Sequence, residues 1–444
     1  MNDKRVTFAS KLGVVAAAAG SAVGLGNIWR FPSQTADGGG AIFIFVYIGC
    51  ILFFGIPVMM SEFIIGRSAK SNTAGAFQKL APGTPWKWVG RLGVLTAFLI
   101  MGFYMVVCGW TLDYLLQSLN GNLQNVVDFG YHFNSLINNP QRQIVWLIVF
   151  TILTAFFIIS GVQKGIERSA KIFMPMLFLI LVILAVRALM LPGASSGLEF
   201  LFKPNIEHVK STVFLDAMGQ AFFSLSIGMG CLITYGSYFN NKINITKTAI
   251  QVSILDTLVA IIAGVIIFPA AFALTSNPSN IVNDLVAGGP GLLFITIPEL
   301  FLQMPASMVW SSLFFCLIAI AALTSTISLM EVVTVYINEE WKYSRRKSTY
   351  LVSVGVVFLG IIASYSSGFF NILDMITAKY MLPIAGIFIS IFVGWYLNKR
   401  MVTNQITNNG ELKFGVGFLK VYIILLRFVA PIAILSIFIY GLVL

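Results

Sequence analysis

The chain has 444 residues, of which 58% are hydrophobic and 10% are charged. Soluble proteins average about 45–50% apolar and about 25% charged residues, so a polar surface could not enclose this composition. The net charge of +11 does not indicate nucleic-acid binding, because excess lysine and arginine in a membrane protein usually lies in cytoplasmic loops. The four cysteines are scattered through apolar segments and do not suggest a disulfide framework. The composition predicts an all-α membrane protein.

Apolar segments of about 20 residues, the length that crosses a bilayer as a helix, recur along the chain. The eleven predicted helices span residues 11–35, 41–66, 91–119, 143–160, 170–191, 214–239, 246–274, 306–337, 348–366, 369–397 and 420–443. Most lysines and arginines fall before helix 1 or after even-numbered helices, which predicts a cytoplasmic N-terminus and an external C-terminus. A cleavable signal peptide is an alternative for the first 19 residues, but that run continues into helix 1. Segment 275–305 is expected to hold a short re-entrant or surface helix.

Two predicted helices carry glycine and serine clusters at their centres. Residues 20–27 of helix 1 read GSAVGLGN, and residues 224–230 of helix 6 read SLSIGMG. Glycine in a helix interior costs about 1 kcal/mol, and unwound backbone at membrane depth is tolerated only where it lines an enclosed cavity. Close packing through a GxxxG pattern is the alternative for either helix alone. We therefore predict that both helices are broken.

The two breaks fall in the first helix of each half of the chain. Paired broken helices at corresponding positions are typical of transporters built from two repeats, with the binding site near the midplane. We predict a single transporter domain over 1–444, with five-helix repeats at 11–191 and 214–397 and an additional helix at 420–443. Half-helix N-termini can hold a carboxylate, and freed carbonyls can bind a cation. A phosphate-binding glycine loop is excluded because no strand precedes it and the GxGxxG spacing is absent.

Ordered motifs along most of the chain resemble those of the neurotransmitter:sodium symporters. They are GLGNIWRFP (24–32), GGGA (38–41), GIP (55–57), Glu62, GR (66–67), GWT (109–111), FSLS (223–226), YGSY (235–238) and LTS (323–325). The eleven predicted helices are similar to the bacterial amino-acid branch of that family. The resemblance implies two inverted repeats, alternating access across the bacterial inner membrane, and sodium-driven uptake of an amino acid or amine.

The resemblance also implies two sodium sites. The first consists of the substrate carboxylate, the Ala22 carbonyl and the side chains of Asn27, Ser224 and Asp256. The second consists of the carbonyls of Gly20, Val23 and Ala321 and the hydroxyls of Thr324 and Ser325. Oxygen donors suit sodium, which is a hard cation. Taken alone, the two hydroxyls of the second set would be interpreted as bonded to carbonyls of their own helix.

A substrate site follows from the same resemblance. Tyr104 and the amides of Leu25 and Gly26 would bind the substrate carboxylate. The amine would meet the carbonyls of Ala22 and Phe223 and the hydroxyls of Ser224 and Ser226. The side-chain pocket would consist of Val23, Ile100, Tyr104, Phe223, Met229, Ser325 and Leu329. No acid is available in this set, so we expect a neutral, apolar L-amino acid, and the deformable Met229 would also admit an aromatic one.

Charged groups within spans are functional candidates, because a charge at mid-bilayer costs at least about 2.5–3.5 kcal/mol. The resemblance implies an outer gate of Arg30 and Asp374, with Phe223 as a lid. It implies an inner gate of Arg5 and Glu339 near Ser237 and Tyr238. Interfacial pairing or snorkelling is the alternative for these charges. Glu331 has no assigned role and is expected to face the inner vestibule.

Gly165 and Pro175 have the spacing of relatives that open inward by unwinding helix 5. Glycine and proline both weaken a helix, which supports this interpretation. A coincidence of residues at a helix start is the alternative.

Asp256 departs from the pattern of the family. Many relatives carry Asn at this position, and chloride-dependent members carry Ser one turn later, where this chain has Ala260. Tyr47 and Gln220 match other chloride-site positions. We predict that the Asp256 carboxylate supplies the negative charge that chloride provides elsewhere, which makes transport chloride-independent, and it is also a candidate proton carrier.

Other functions fit the sequence less well. A proton-coupled amino-acid transporter of the same fold is the nearest alternative, but Thr324 and Ser325 favour sodium. An intramembrane enzyme is disfavoured because the two histidines, His132 and His208, lie in predicted outer loops without metal-binding spacing. A passive channel is disfavoured by the occluding charge pair of the outer gate. We expect the amino acid, sodium and the lipid bilayer as partners, without nucleic acid or an obligate protein partner.

Overall fold

The computed structural model describes residues 6–204, 212–274, 291–412 and 416–443, and this part of the chain is helical without β-strands. Ten apolar spans among the described residues, and one pair of shorter helices at the position of predicted helix 6, follow the predicted order and are labelled α1 to α11. Nine are continuous: α2 (Ala41–Ala69), α3 (Lys87–Leu119), α4 (Pro140–Ile159), α5 (Val162–Leu189), α7 (Ile245–Leu274), α8 (Ser307–Glu340), α9 (Arg345–Tyr365), α10 (Ser367–Tyr396) and α11 (Gly417–Ser436). Two are broken: α1 (Lys11–Ala22 and Gly26–Asp37) and α6 (Val213–Ser224 and Cys231–Ser237). The predicted all-α membrane fold is confirmed.

The largest difference from the predicted boundaries is at α5, which begins at Val162 rather than at residue 170. The additional segment contains Lys164, Glu167 and Arg168, so it is too polar for a hydropathy pattern to include. The charged turn nevertheless continues the helix, because it packs against α4 and against the start of α1.

Five short helices connect the spans: Thr73–Leu80, Phe129–Ile137, Ala194–Phe202, Leu292–Leu302 and Lys399–Ile406. The helix at Leu292–Leu302 lies between α7 and α8, where a short helix is predicted. His132 lies in the helix Phe129–Ile137. Arg5 and His208 lie outside the described residues.

The two halves of α1 meet at an angle of 54°. The first half ends at Val23, whose backbone is extended, with φ −72° and ψ 110°. The Gly24 amide is then bound by a side chain, because it donates to Asn27 Oδ1 at 2.9 Å. A side chain at Gly26 would require the Phe223 ring to move, since a Cβ there would lie 2.9 Å from that ring. The glycines therefore permit a break that the Asn27 side chain stabilises.

The break in α6 covers residues 225–230 and uses left-handed backbone. Ser226 has a φ of +56° and Gly228 a φ of +85°. The Ser226 hydroxyl donates to the Ser21 carbonyl of α1 at 2.7 Å, and the Gly228 amide donates to Glu62 Oε1 of α2 at 2.7 Å. Because buried backbone groups need partners, these two side-chain contacts compensate for hydrogen bonds that the break removes.

The broken helices lie at the centre of the bundle with α3 and α8. Among the described residues, 89% of an apolar 18-residue stretch of α8 and 78% of one of α3 are buried, against 22% for α11. The breaks of α1 and α6 are therefore surrounded by protein, which is the condition for unwound backbone in a membrane. The division into repeats at 11–191 and 214–397 stays a prediction.

Candidate functional site

A buried carboxylate lies where the two breaks meet. Asp256 of α7 accepts hydrogen bonds from Asn27 Nδ2 at 2.7 Å, from Ser224 Oγ at 2.9 Å and from the Tyr47 hydroxyl at 3.3 Å. Asp256 and Asn27 are fully buried and Ser224 is 1% exposed. In the described part of the chain, no lysine or arginine forms an ion pair with this carboxylate. The structure thus brings together three predicted ligands of the first sodium around one negative charge.

The positions compared with a chloride site lie beside this carboxylate. Tyr47 contacts Asp256 directly, and Gln220 donates from Nε2 to the Gly26 carbonyl at 3.0 Å. Gln220 Oε1 is buried and finds no hydrogen-bond partner among the described residues. Ala260 is fully buried on the same helix as Asp256.

A second group of oxygen atoms joins α1 to α8. Ser325 Oγ donates to the Val23 carbonyl at 3.3 Å, and Thr324 Oγ1 donates to the Ala321 carbonyl at 3.0 Å. A Cβ on Gly20 would lie 3.3 Å from Thr324 Cβ, so the two backbones approach closely. Thr324 therefore has the same-helix bond of the alternative interpretation, whereas Ser325 reaches across to the break in α1. All five predicted donors of the second sodium site lie at this contact between α1 and α8.

A cavity of about 30 Å³ lies between α1, α3, α6 and α8. Most of its lining was predicted as the substrate site: Ala22, Gly26, Ile100, Tyr104, Phe223, Ser224, Ser226, Met229, Ser325 and Leu329. Ser21 and Gly24 also line it and were missed, although both lie within the glycine-rich break. Val23 and Leu25 do not line it, because the Val23 carbonyl faces Ser325 and Leu25 lines a different cavity. No acidic side chain is among the described lining residues.

The predicted carboxylate-binding groups contact each other. The Leu25 amide donates to the Tyr104 hydroxyl at 3.2 Å. Both groups are buried, Leu25 fully and Tyr104 at 6% exposure. They lie at the boundary between the small cavity and a larger one, where a carboxylate could accept from both.

The larger cavity, of about 330 Å³, lies toward the side predicted to be extracellular and is called the vestibule here. Its lining includes Arg30 and Asp374, while Gly26, Tyr104 and Phe223 line both cavities. The Arg30 guanidinium lies 4.8 Å from the centre of the Phe223 ring. Among the described ion pairs, none joins Arg30 to Asp374. The two charges share the vestibule, and the Phe223 side chain forms part of its floor.

Toward the side predicted to be cytoplasmic, Glu331 of α8 forms an ion pair with Arg345 of α9 at 2.5 Å. The Tyr238 hydroxyl donates to Glu331 Oε1 at 2.7 Å, and Arg345 Nε donates to the Ile158 carbonyl at 2.7 Å. Glu331 is fully buried, so it faces protein partners rather than an open vestibule. No partner of Glu331 could be predicted from the sequence, because the pairing depends on how α8 and α9 pack.

Of the remaining predicted inner-gate residues, Glu339 lies on α8 two turns after Glu331, and Ser237 directly precedes Tyr238. Glu339 Oε2 accepts from the Asn72 amide at 2.8 Å, and the Ser237 hydroxyl donates to the Thr234 carbonyl. The pairing predicted between Glu339 and Arg5 involves a residue outside the described part of the chain.

The start of α5 is a wide π-helical turn, Val162–Glu167, that contains Gly165. A Cβ at Gly165 would lie 1.9 Å from the Phe157 carbonyl oxygen of α4, so the close approach of the two helices requires glycine. Pro175 lies inside the following regular helix, where proline removes a backbone hydrogen bond. Both features weaken the first turns of α5.

The chain matches the sodium:neurotransmitter symporter family over residues 5–134 and 131–444. An uncharacterized sodium-dependent transporter of Bacillus subtilis is 34% identical, over 98% of this chain and 97% of the relative. A corresponding transporter of Haemophilus influenzae is 32% identical, over 99% of each. The sodium- and chloride-dependent GABA transporter 2 of Rattus norvegicus is 28% identical, over 88% of this chain and 73% of the relative.

The fold is similar to the crystal structure of MhsT in complex with L-phenylalanine. The TM-score is 0.89 and the sequence identity is 42%, over 98% of this chain and 99% of that chain. These relatives are transporters rather than enzymes. The chain is therefore a sodium-dependent membrane transporter and belongs to the sodium:neurotransmitter symporter family.

Proposed function

We propose that this protein imports a neutral, apolar or aromatic L-amino acid with sodium by alternating access. It would act in the bacterial inner membrane, with a cytoplasmic N-terminus and an external C-terminus. One observation carries the proposal: the cavity between the breaks of α1 and α6 adjoins both the Asp256 carboxylate cluster and the oxygen donors shared by α1 and α8. Substrate and cation would thus bind within one continuous group of polar atoms.

Recognition of the amino-acid backbone uses the ends of the broken helices. The substrate carboxylate would take the place of the contact between Tyr104 and the Leu25 amide, since both groups can donate to an anion. The amine would meet the carbonyls of Ala22 and Phe223 and the hydroxyls of Ser224 and Ser226. Because every L-amino acid carries these two charged groups, this part of the site gives affinity without choosing a side chain.

The choice of side chain comes from the rest of the lining. Ile100, Met229, Leu329 and Phe223 are apolar, and no described lining residue is acidic. A cationic side chain would therefore lose its hydration without gaining an ion pair. The Phe223 ring and Met229 can change conformation to enlarge the small cavity. L-phenylalanine in the similar MhsT structure supports an apolar or aromatic substrate.

Two sodium ions would travel with each substrate. Asn27, Ser224, Asp256 and the Ala22 carbonyl would hold the first beside the substrate carboxylate. The carbonyls of α1 and α8 with Thr324 and Ser325 would hold the second. Both sets consist of oxygen donors, which suit a hard cation. Contact between the first ion and the substrate carboxylate would make their affinities depend on each other reciprocally.

Two ions suit concentrative uptake. A tenfold sodium gradient contributes about 1.4 kcal/mol per ion, and 100 mV adds about 2.3 kcal/mol per charge. With a zwitterionic substrate, two ions would supply about 7–8 kcal/mol, which corresponds to roughly 10⁵-fold accumulation, and one ion only about 10²–10³-fold.

The Asp256 carboxylate would make transport independent of chloride. It lies in contact with Asn27, Ser224 and Tyr47 and would carry a negative charge when ionised. A bound sodium ion would therefore have a counter-charge supplied by the protein. The same group is a candidate proton carrier on the return step.

Uptake into proteoliposomes tests the proposed function. Labelled amino acids, supplied as a mixture and then singly, would be offered with an inward sodium gradient or with potassium. We expect sodium-dependent accumulation above equilibrium, equal in gluconate and chloride, with competition by Leu, Phe or Trp and little by Lys. Accumulation that ignores sodium but collapses with a protonophore would move the driving ion to the proton. A strict chloride requirement or strongest competition by Lys would contradict the proposal.

A further inference from the structure

A carboxylate at the start of α5 binds the beginning of α1. Glu167 Oε2 accepts from the Ala9 amide at 2.7 Å, and Glu167 Oε1 accepts from the Ser10 hydroxyl at 2.9 Å. Lys171, one turn later on α5, approaches Glu167 Oε1 at 2.6 Å. Glu167 is 2% exposed. This group of contacts is called the α1–α5 clasp.

The α1 side of the clasp is the N-terminus of the first half-helix. Ser10 is its N-cap, since Ser10 Oγ also accepts from the Gly13 amide at 3.0 Å. A carboxylate is favourable beside a helix N-terminus, where free amides and the helix dipole attract negative charge. A Cβ on Gly13 would lie 2.1 Å from Glu167 Oε1, so the helix and the carboxylate are in direct contact. Gln163 adds a second contact by donating to the Thr7 carbonyl at 2.7 Å.

The α5 side of the clasp is an irregular turn at the start of its helix. Glu167 is the last residue of the π-helical turn Val162–Glu167. Such turns are rare and are frequently found at functional sites. The clasp therefore connects the π-helical first turn of α5 to the cytoplasmic end of the helix that lines the substrate cavity.

We propose that Glu167 is a positioning residue for alternating access, which holds the first half of α1 against α5 until the site opens inward. The inference rests on the proposed function, because it concerns how that site changes sides. Unwinding of the first turn of α5 carries the carboxylate away from Ala9 and Ser10 and frees the first half of α1. The ion pair of Glu331 and Arg345 does not duplicate this contact, since it joins α8 to α9.

The clasp predicts how inward opening depends on sodium. Ser325 of α8 contacts the break at the other end of the same half-helix. Sodium bound between α1 and α8 and the clasp at residues 9–10 thus hold the two ends of one element. Loss of one attachment makes the position of α1 depend more strongly on the other.

Cysteine labelling from the cytoplasmic side tests the inference in the full-length protein. Val14, in the first half of α1, is 1% exposed and serves as reporter in the form V14C, in a C316A background. The other three cysteines are buried. We expect E167Q to raise the rate of labelling by a membrane-impermeant maleimide about tenfold without sodium, because glutamine keeps only one acceptor oxygen and carries no charge. Saturating sodium should reverse most of that increase.

Matched variants separate the clasp from general damage. S10A should raise labelling less than E167Q, and E167D should restore part of the protection. K171Q should have a smaller effect, since both donors from α1 remain. E411Q neutralises an exposed carboxylate in the loop after α10 and should leave labelling unchanged. If E167Q does not fold, S10A and E167D carry the test.

The inference is overturned if the V14C reporter is labelled at the same rate in folded protein with no further substitution, with E167Q and with S10A. An increase that sodium does not reverse would also contradict it, because it would indicate local unfolding. Uptake by the wild type in the same preparation separates the two proposals. Sodium-driven uptake with unchanged labelling rejects the clasp alone. Sodium-reversible labelling without amino-acid uptake rejects the proposed substrate and leaves the clasp in place.

Discussion

Charged side chains are arranged differently on the two sides of the substrate cavity. On the side predicted to be extracellular, Arg30 and Asp374 line a vestibule of about 330 Å³ and form no described ion pair with each other. On the side predicted to be cytoplasmic, Glu331 and Arg345 pair at 2.5 Å, and Glu331 has no exposed surface. The structure is therefore open on one side of the substrate cavity and closed by ionic contacts on the other.

This difference indicates which conformational changes of the transport cycle are unfavourable in free energy. Opening the inner side requires a buried carboxylate to lose its partner, which is costly because the group is not hydrated. Closing the outer side requires two charges that already share a cavity to approach each other. Binding of sodium and substrate at the breaks would favour the second change, and their release toward the cytoplasm would accompany the first.

The largest effect is expected from breaking the pair of Glu331 and Arg345 at Arg345, its less buried member. In R345A, the buried carboxylate of Glu331 would have no cation, which costs about 3–5 kcal/mol of stability for a buried pair. E331Q should cost less, because the Arg345 side chain is 26% exposed and can reach water. Melting temperatures of the purified protein would measure both. R346A, which removes the neighbouring exposed arginine, is the control, and equal effects of R345A and R346A would contradict the comparison.

The next largest effect is expected at Asp256, the carboxylate that lies between the two sides. D256N should lower initial uptake about 100-fold, because a buried sodium ion would lose its counter-charge. D256N/A260S should recover part of the uptake in chloride but not in gluconate, since Ser at 260 supplies the missing ligand for chloride. Uptake by D256N at the wild-type rate would show that the carboxylate does not balance the sodium charge.

The sequence predicts the membrane-spanning helices well because their signal is local. Twenty consecutive apolar residues and a glycine-rich break can each be recognised without knowing any neighbour. The charged first turn of α5 was missed for the same reason, since its helix depends on contacts with α1 and α4. The fold was therefore accessible from the sequence wherever composition alone determines the element.

Most residues of the candidate site could be predicted from motifs, but the partners of the buried carboxylates Glu331 and Glu167 could not. Motif positions predicted most residues that line the small cavity, whereas Ser21 and Gly24 were missed because the break exposes backbone as well as side chains. Apart from Lys171, the partners of Glu331 and Glu167 belong to other segments of the chain, up to 158 positions away in the case of Ala9. Helix packing determines these contacts, and no local pattern encodes it.

A moderate effect is expected at the hydroxyls between α1 and α8. S325A should lower sodium affinity about tenfold, because it removes one oxygen ligand of a charged group. T324V should have a similar effect if, in the wild type, the Thr324 hydroxyl leaves the Ala321 carbonyl to bind the ion. T326V is the matched control, since that hydroxyl bonds within α8 and toward Thr154. Sodium titration of amino-acid binding would measure the change, and an equal loss in T326V would indicate a packing defect.

The smallest effect on stability is expected at the outer side, where the comparison predicts a kinetic effect instead. Asp374 is exposed and has no described ion pair, so D374N should change stability by less than about 0.5 kcal/mol. Uptake should nevertheless slow several-fold, because outer closure would bring Arg30 to a neutral partner. E199Q, an exposed carboxylate on the same side, should alter neither property. Initial uptake rates and melting temperatures measured together would check this, and a large loss of stability in D374N would mean that the outer charges are already paired before substrate binds.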